Sequence, residues 1–414
     1  MKVLIIGDGG REHTIAWKLH NNPKVTKIFS ACGNGGIHSI SRMTGIKSND
    51  IENLKNFALK EKIDLTIVGP EEPLVQGIVD EFEKCNLRIF GPVQSAARLE
   101  GSKIFAKNFM KKYNIPTADF VVFDNFDYAK SYIEVNERYP VVIKADGLAA
   151  GKGVIIAKNR SEAIKAVEDM LTYKKFGEAG KKIIIEEFLA GFENSILCFV
   201  DGNVILPMVS AKDFKKIGEG DTGLNTGGMG AISPNPYMSA EDEKECSEKI
   251  LIPVLNALKN EGINYKGILY FGLIKTHNSI KVLEFNCRFG DPETQVILPR
   301  LKTDFLDVIN AVIDGKLSEI KIEWSDDAFL TVVAASDGYP EYYEKGYLIS
   351  GLENIKDSIV FHSGTKLENG KFFTNGGRVL SVTGFGKNIY EARNMAYSDM
   401  EKVLFGNKYF RKDI

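Results

Sequence analysis

Residues Glu284 to Thr294 read EFNCRFGDPET, and this stretch holds side chains whose types and spacing suit phosphate chemistry. The preceding run, IKVLEF, reads as a buried strand, and alternate strand residues share a face. Glu284 and Asn286 then offer a carboxylate and an amide oxygen side by side. That pair suits Mg²⁺ (or Mn²⁺), a hard cation that takes one or two carboxylates and completes its shell with water and phosphate oxygens. Arg288 falls on the same face, within reach of an anion. The Gly-Asp-Pro break puts the cluster at a strand end, where open α/β sheets place their sites.

Three glycine-rich turns could bring backbone donors to phosphate or other polar groups. GDGGREH, Gly7 to His13, joins a strand to a helix, so its N–H groups and the helix N-terminus favour an anion. It departs from the dinucleotide fingerprint: Glu12 stands where a third Gly belongs, and KIFSACGNGG ends without a ribose-binding acid. A phosphate site with Arg11 fits better than a nicotinamide cofactor, and a turn that needs glycine only for packing is the plainer alternative. KADGLAAGKGV, Lys144 to Val154, lies between two strands and lacks Walker A spacing. It reads as a hairpin flap over a triphosphate. Lys144 ends a buried-looking strand, where an unpaired ammonium is costly. GDTGLNTGGMG, Gly220 to Gly230, is the weakest of the three and reads equally well as disorder.

Other polar candidates are sparse. In IIIEEFLAG, Glu186 and Glu187 are adjacent on a strand, so they point to opposite faces and do not form an acid/base dyad. Of the five His, only His13, in the helix after the first turn, is worth following, although a satisfied helix histidine is commoner.

These residues need α/β scaffolding. Strand and helix signals alternate through the first hundred residues: KVLIIG, REHTIAWKLH, KIFSA, IENLKNFALKEK, DLTIVGP, LVQGIVDEFEKC, RIFGP. That rhythm predicts a mostly parallel sheet covered on both faces, residues 1–101. Residues 102–324 read as a larger α+β body carrying a small insert, about 118–190, with strands at FVVF, PVVIKAD, GVIIA, KKIIIEEF and SILCFV and one clear helix from Arg160 to Thr172. Ile217 to Pro236, rich in Gly, is expected to form a long loop. A helix from Ala240 to Asn260 leads to GILYFGLI and IKVLEF. Residues 325–414 form a third α+β unit, with strands at Phe329 to Ala335 and Arg378 to Thr383 and a helix from Asn388 to Leu404.

Composition excludes other classes. A length of 414 residues implies several domains, and a net charge of -2 gives no electrostatic case for nucleic acid. No apolar run is long enough to span a bilayer. The five cysteines have no paired spacing, which argues against disulfides and zinc and for a reduced, cytoplasmic protein.

In order along the chain, GDGGREH, GPEEPLVQGIVDEF, IFGP, LEGSKIFAKNFM, IPTA, KADGLAAGKGV, IIEEFLAG, NTGGMG and EFNCRFGDPETQ resemble the phosphoribosylamine–glycine ligase family, ATP-grasp enzymes of purine biosynthesis. The resemblance covers essentially the whole chain. It implies an N-terminal substrate domain, an ATP-grasp body with a lid, and a small C-terminal domain. It implies that ATP, 5-phosphoribosylamine and glycine give ADP, phosphate and the glycinamide through a glycyl phosphate, in a monomer. By motif, Lys103, Lys144, Gly147, Gly151, Lys152 and Gly153 would surround the phosphates. Glu186, Glu187, Phe188 and Leu189 would read adenine, and Glu193 the ribose. Glu284 and Asn286 would hold the metal. Gly9, Gly10, Arg11 and Glu71 would hold the ribosylamine phosphate end. Asp213, Asn225, Gly227, Arg288, Asp291, Pro292 and Glu293 would line the glycine and acyl-phosphate site, with Arg288, Asp213 and Lys144 catalytic. The chain departs from the family at Lys212, Phe214 and Lys216, where Gln, His and Arg are usual, and at Leu224, where Pro is usual. Lysine there keeps charge without the bidentate fork of arginine.

Overall fold

The computed structural model describes residues 1–149 and 153–414. Its N-terminal unit is a five-stranded parallel sheet in the order Arg42–Met43, Lys27–Cys32, Lys2–Gly7, Leu65–Val68, Ile89–Phe90. The central strand carries Val3, Leu4, Ile5 and Ile6, all fully buried, as a parallel strand covered on both faces requires. The expected single helix over LVQGIVDEFEKC is two, Glu71–Val75 and Ile78–Glu83. Gly77 separates them at φ +88°, a left-handed conformation that ends a right-handed helix.

The middle unit holds a four-stranded sheet in the order Ile205–Pro207, Phe192–Asp201, Lys266–Lys275, Ile280–Asn286. A second four-stranded sheet, Phe120–Phe123, Ile183–Glu187, Val141–Ala145, Val154–Ala157, forms the insert. Arg160–Val167 is helical there as expected, and so is Phe126–Val135, which hydropathy did not reveal. Its start is fixed by Asn125, whose side chain accepts from the backbone N–H groups of Asp127 and Tyr128.

The third unit is a six-stranded sheet whose main path runs Lys212–Asp213, Gly230–Ser233, Ala328–Ser336, Arg378–Gly386, Ile359–His362, with Ile389–Met400 packed on it. One of these strands, Gly230–Ser233, comes from the stretch expected to be a loop. Lys216–Gly218 also pairs with Thr222–Asn225 in a hairpin. The glycines of this stretch serve chain reversal and not looseness: Gly220 and Asp221 turn the hairpin at positive φ. The segment therefore stitches the middle unit to the C-terminal sheet. A continuous core does the same elsewhere, with Val3 and Ile5 in one apolar cluster with Ile268, Phe289 and Phe305.

Candidate active site

A cavity of about 430 Å³ opens where the three units meet. One wall is the Ile280–Asn286 strand, and its side-chain placement depends on an irregularity. In a regular strand Glu284 would share the face of Ile280 and Val282, which is core. The register against Lys266–Lys275 slips between Gly272 and Leu273, so Gly272 faces Glu284 while Leu273 faces Val282. The bulge turns Glu284 and Asn286 into the cavity and returns Phe285 to the core.

Among the described residues, Glu284 makes no hydrogen bond or ion pair, and Asn286 Oδ1 has only a 3.5 Å contact from Arg288. Burial pushes the Glu284 carboxyl up, but Lys215, Lys144 and Lys103 outweigh it and hold the group below its ordinary range. A charged, unpartnered carboxylate beside an amide oxygen fits Mg²⁺ with its remaining positions left to a ligand. No cluster of three or more His, Cys, Asp or Glu suited to a metal occurs among the described residues.

Lysines line this end of the cavity. Lys103 opens the helix Lys103–Lys112, capped by Ser102, and its Nζ donates to the Gly147 carbonyl at 3.0 Å. Burial lowers its pKa. Lys107, one helical turn on, lines the same wall and was missed in the sequence, although four-residue spacing puts it on the face of Lys103. Lys144 does not stand unpaired: its Nζ lies 2.9 Å from Glu186 Oε2, and Lys107 lies 3.4 Å from Glu186 Oε1. Burial pulls the Lys107 ammonium down to about 8 against the pull of Glu186. Glu186 and Glu187 do point to opposite faces, and Glu187 is exposed and paired with Lys281 at 3.0 Å. Phe188 is exposed and Leu189 half-buried outside the cavity lining. Glu193 borders an adjoining pocket and meets Lys215 at 3.3 Å. Val141–Ala145 and Val154–Ala157 pair as the expected hairpin, with Gly153 lining the cavity. Gly151 and Lys152 lie outside the described residues.

The other end is lined by arginines. Arg11, buried at the start of Gly10–His20, donates from Nε to Glu12 Oε1 at 2.6 Å and from Nη1 to the Phe289 carbonyl at 3.0 Å. Glu12 explains the departure from the dinucleotide pattern. Its carboxylate accepts the Gly9 N–H at 2.7 Å and fills the space beneath the turn, where a Cβ on Gly69 would sit 1.8 Å from Oε1. Gly9 lines the cavity, whereas Gly10 packs toward Gln295 and Ser363. Arg288 Nε meets Glu71 Oε2 at 3.0 Å and Nη2 meets Glu100 Oε1 at 3.1 Å. The two acids respond differently. Burial raises Glu71, but Arg288 and Arg11 win and hold it down at about 2. At Glu100 burial prevails over Arg288, and its pKa rises to about 7. Glu100 also accepts the Cys287 N–H at 2.6 Å, which fixes the segment after the metal-type pair.

Asp213, Gly227, Asp291 and Glu293 line the cavity too, while Asn225 sits on the exposed hairpin and Pro292 is buried behind it. Asp213 Oδ1 is buried without a hydrogen-bond partner, and burial with the nearby Glu293 pushes its pKa well up. Glu293 Oε1 accepts from Tyr270 at 2.8 Å and Ser195 at 3.2 Å. The departures from the family pattern fall away from the cavity. Lys212 lies over the rings of Phe214 and Tyr237, at 4.5 Å from each centroid, and Phe214 packs into the C-terminal core. Asp213 and Lys215, the alternating residues, keep the cavity face. Arg378, from the C-terminal unit, completes the wall and carried no sequence signal. His13 is a structural histidine: its Nδ1 accepts the His362 N–H at 2.8 Å.

Comparison with known proteins agrees in every unit. Residues 1–100, 101–294 and 329–414 match the N domain, the ATP-grasp (A) domain and the C domain of phosphoribosylglycinamide synthetase. The phosphoribosylamine–glycine ligase of Caldanaerobacter subterraneus subsp. tengcongensis is 53% identical over 414 residues, 100% of this chain and 99% of that one. That of Fusobacterium nucleatum is 51% identical, covering 100% and 98%. The crystal structure of the Thermotoga maritima phosphoribosylamine–glycine ligase superposes with a TM-score of 0.87 at 35% identity, covering 100% of both chains. The biotin carboxylase domain of Hydrogenobacter thermophilus 2-oxoglutarate carboxylase, solved with MgADP and bicarbonate, shares the fold at a TM-score of 0.75, 16% identity, and 99% and 91% coverage. With all three domains matched along its length, the chain belongs to the phosphoribosylglycinamide synthetase family.

Proposed function

We propose that the protein joins glycine to 5-phosphoribosylamine with cleavage of ATP to ADP and phosphate. The observation that carries this reading is the shared cavity, in which a lysine-lined end with an unpartnered carboxylate adjoins an arginine-lined end with several acids. ATP occupies the lysine end. Lys103 and Lys144 meet its phosphates, with Gly147 and Gly153 beside them. Backbone groups from Glu187 to Leu189 face adenine, and Glu193 takes the ribose. The Glu186 side chain holds Lys144 in place, a different duty from adenine contact. Glu284 and Asn286 would hold Mg²⁺, or Mn²⁺ in its stead, which would supply charge neutralisation at phosphate.

A carboxylate oxygen of glycine attacks the γ-phosphorus, and the bond to the ADP oxygen breaks. The ribosylamine nitrogen then attacks the acyl carbon of glycyl phosphate, phosphate leaves, and the nitrogen loses a proton. Asp213, whose Oδ1 faces the cavity without a hydrogen-bond partner, accepts that proton in its ionised form. Gly9, Arg11 and Glu71 hold the phosphorylated sugar, and Asp213, Gly227, Asp291 and Glu293 surround glycine. The protein's main contribution is position and charge neutralisation.

The test is ADP release measured with each substrate omitted. Release that needs both glycine and ribosylamine is expected, and release indifferent to glycine overturns the reading. One chain supplies every residue named, which supports a monomer, checked by light scattering. The unpaired cysteines support a reduced, cytoplasmic setting, checked by fractionation of cells.

A further inference from the structure

Three arginines line the cavity, and their guanidinium groups are not equally free. Arg288 has a partner at every nitrogen: Glu71 at Nε, Phe289 O at Nη1, and Glu100 with Asn286 at Nη2. Arg11 spends Nε on Glu12 and Nη1 on Phe289 O. Arg378 is different. Its Nη1 alone is engaged, donating to the carbonyls of Gly227 at 2.6 Å and Asp291 at 2.7 Å, with Asp291 Oδ1 at 3.4 Å. Nε and Nη2 make no hydrogen bond among the described residues. These two form one edge of the planar fork, the geometry that grips a carboxylate with two parallel hydrogen bonds.

The anchoring of Nη1 fixes where that edge lies. It is tied to the Gly227 turn and to the Asp291 turn, and a Cβ on Gly227 would lie 3.0 to 3.2 Å from Cζ, Nη2 and Nε. Gly227 therefore lets the face of the guanidinium lie close against its turn, and the Nε–Nη2 edge stays without a hydrogen-bond partner among the described residues. Asp213, Glu293 and Asp291 surround the guanidinium closely enough to raise its pKa against the effect of burial. An arginine edge among carboxylates suits a small zwitterion, with its carboxylate on the arginine and its ammonium among the acids. A phosphate dianion would meet those acids unfavourably.

We propose that the free Nε–Nη2 edge of Arg378, from the C-terminal unit, binds the carboxylate of glycine, whereas the resemblance pointed to Arg288 as the arginine lining the glycine site. The assignment rests on the ligase reading above. Arg288 instead acts as a positioning residue that ties Glu71, Glu100 and Asn286 together.

The test is R378K, which keeps the charge and loses the fork, assayed by ADP release with each substrate varied in turn. Losing a charge-assisted pair of hydrogen bonds predicts a glycine KM raised roughly 10- to 100-fold. The KM values for ATP and ribosylamine are expected to stay within about twofold. In R378A, guanidinium ion added at millimolar concentration is expected to restore part of the glycine-dependent rate. Wild-type protein without glycine-dependent ADP release would overturn the ligase reading and this one with it. An active wild type whose R378K variant keeps its glycine KM would overturn this one alone. So would a rise confined to the ribosylamine KM, which would move the bound anion to the sugar phosphate. A fall in melting temperature and kcat with no change in any KM and no guanidinium rescue would make Arg378 structural and overturn the assignment.

Discussion

The two ends of the cavity are assembled in different ways. The lysine-lined end, proposed above for the nucleotide, comes from one unit: Lys103, Lys107, Lys144, Glu186 and Glu284 lie in the middle stretch of the chain, on two strand systems and one helix. The acceptor end draws one arginine from each unit, Arg11, Arg288 and Arg378, and exists only when all three are docked. The chemistry follows the assembly. Lysines on long stems can follow a mobile triphosphate as point charges, whereas planar arginine forks hold fixed geometry and need acids to position them. A change within the middle unit should therefore be read in ATP terms, and a change in docking in acceptor terms.

The largest effect is expected at the nucleotide end. Glu284→Gln removes the one carboxylate of the metal-type pair, which makes no hydrogen bond or ion pair among the described residues although Lys215, Lys144 and Lys103 lie near it. Turnover should fall on the order of 10³-fold, since charge neutralisation carries phosphoryl transfer. The melting temperature should fall by no more than a few degrees, so that the loss of turnover is not a loss of fold. Full activity in this variant, measured as ADP release, would remove the metal assignment.

Lys107→Met comes next. It leaves Glu186 buried with Lys144 as its sole cation, a loss worth roughly 1–3 kcal/mol in denaturant unfolding. The ATP KM should rise while the glycine KM stays unchanged. A rise in the glycine KM of similar size would show that the two ends are not independently built.

Legibility in the sequence follows the same division. The gathering of residues at the lysine-lined end was readable because its parts are local: a strand that ends in a carboxylate and an amide, a lysine at a strand end, a glycine hairpin. Even there, the strand alternation that grouped Glu284 with Asn286 did not show that a bulge is needed to turn both away from the core. Lys107 could have been found from helical spacing to Lys103. The acceptor end was half hidden. Arg378 lies 87 positions beyond the Asp291 carbonyl it holds, and nothing in its neighbourhood marks it as polar-site sequence. The Gly-rich stretch misled for a related reason. Glycines that serve turns between short, exposed strands look the same as glycines in a loop, and only pairing with the C-terminal sheet separates the two. The family departures at Lys212, Phe214 and Lys216 looked worrying in one dimension and fall on the outward side in three.

At the acceptor end, Glu71 and Glu100 share Arg288 and should part company on mutation. Glu71 is held ionised, with its pKa at about 2, so it contributes stability above the ordinary glutamate range that is lost as pH falls toward that value. Glu71→Gln should cost roughly 2 kcal/mol near neutral pH. Glu100, raised to about 7, is substantially protonated at neutrality, so Glu100→Gln mimics a form already present and should cost much less. Equal costs would mean that the two carboxylates divide the charge evenly.

The smallest effect tests docking itself. His13 of the first helix accepts the backbone N–H of His362 in the C-terminal unit, and Asn34 Nδ2 donates to the His362 carbonyl at 2.8 Å and to the turn carbonyls of Asp8 and Gly9. Burial lowers the pKa of both histidines, that of His362 to about 4 and that of His13 well below its usual value. The unfolded chain therefore binds more protons than the folded one between about pH 6.5 and 4, and stability falls with pH across that window. His362 alone predicts a loss of roughly 1.4 kcal/mol at pH 5.5 relative to pH 8. Opening of the joint between the units returns both rings to their ordinary pKa and takes up those protons, so the C-terminal unit should loosen first as pH falls. Because that unit brings Arg378, the glycine KM should rise as pH falls through this window while ATP binding, followed by calorimetry, stays level. His13→Asn, which retains an acceptor near the same place without a titrating ring, should flatten the glycine response. A glycine KM that still climbs in that variant would place the pH sensitivity in the acids around Arg378 and not in the joint between the units.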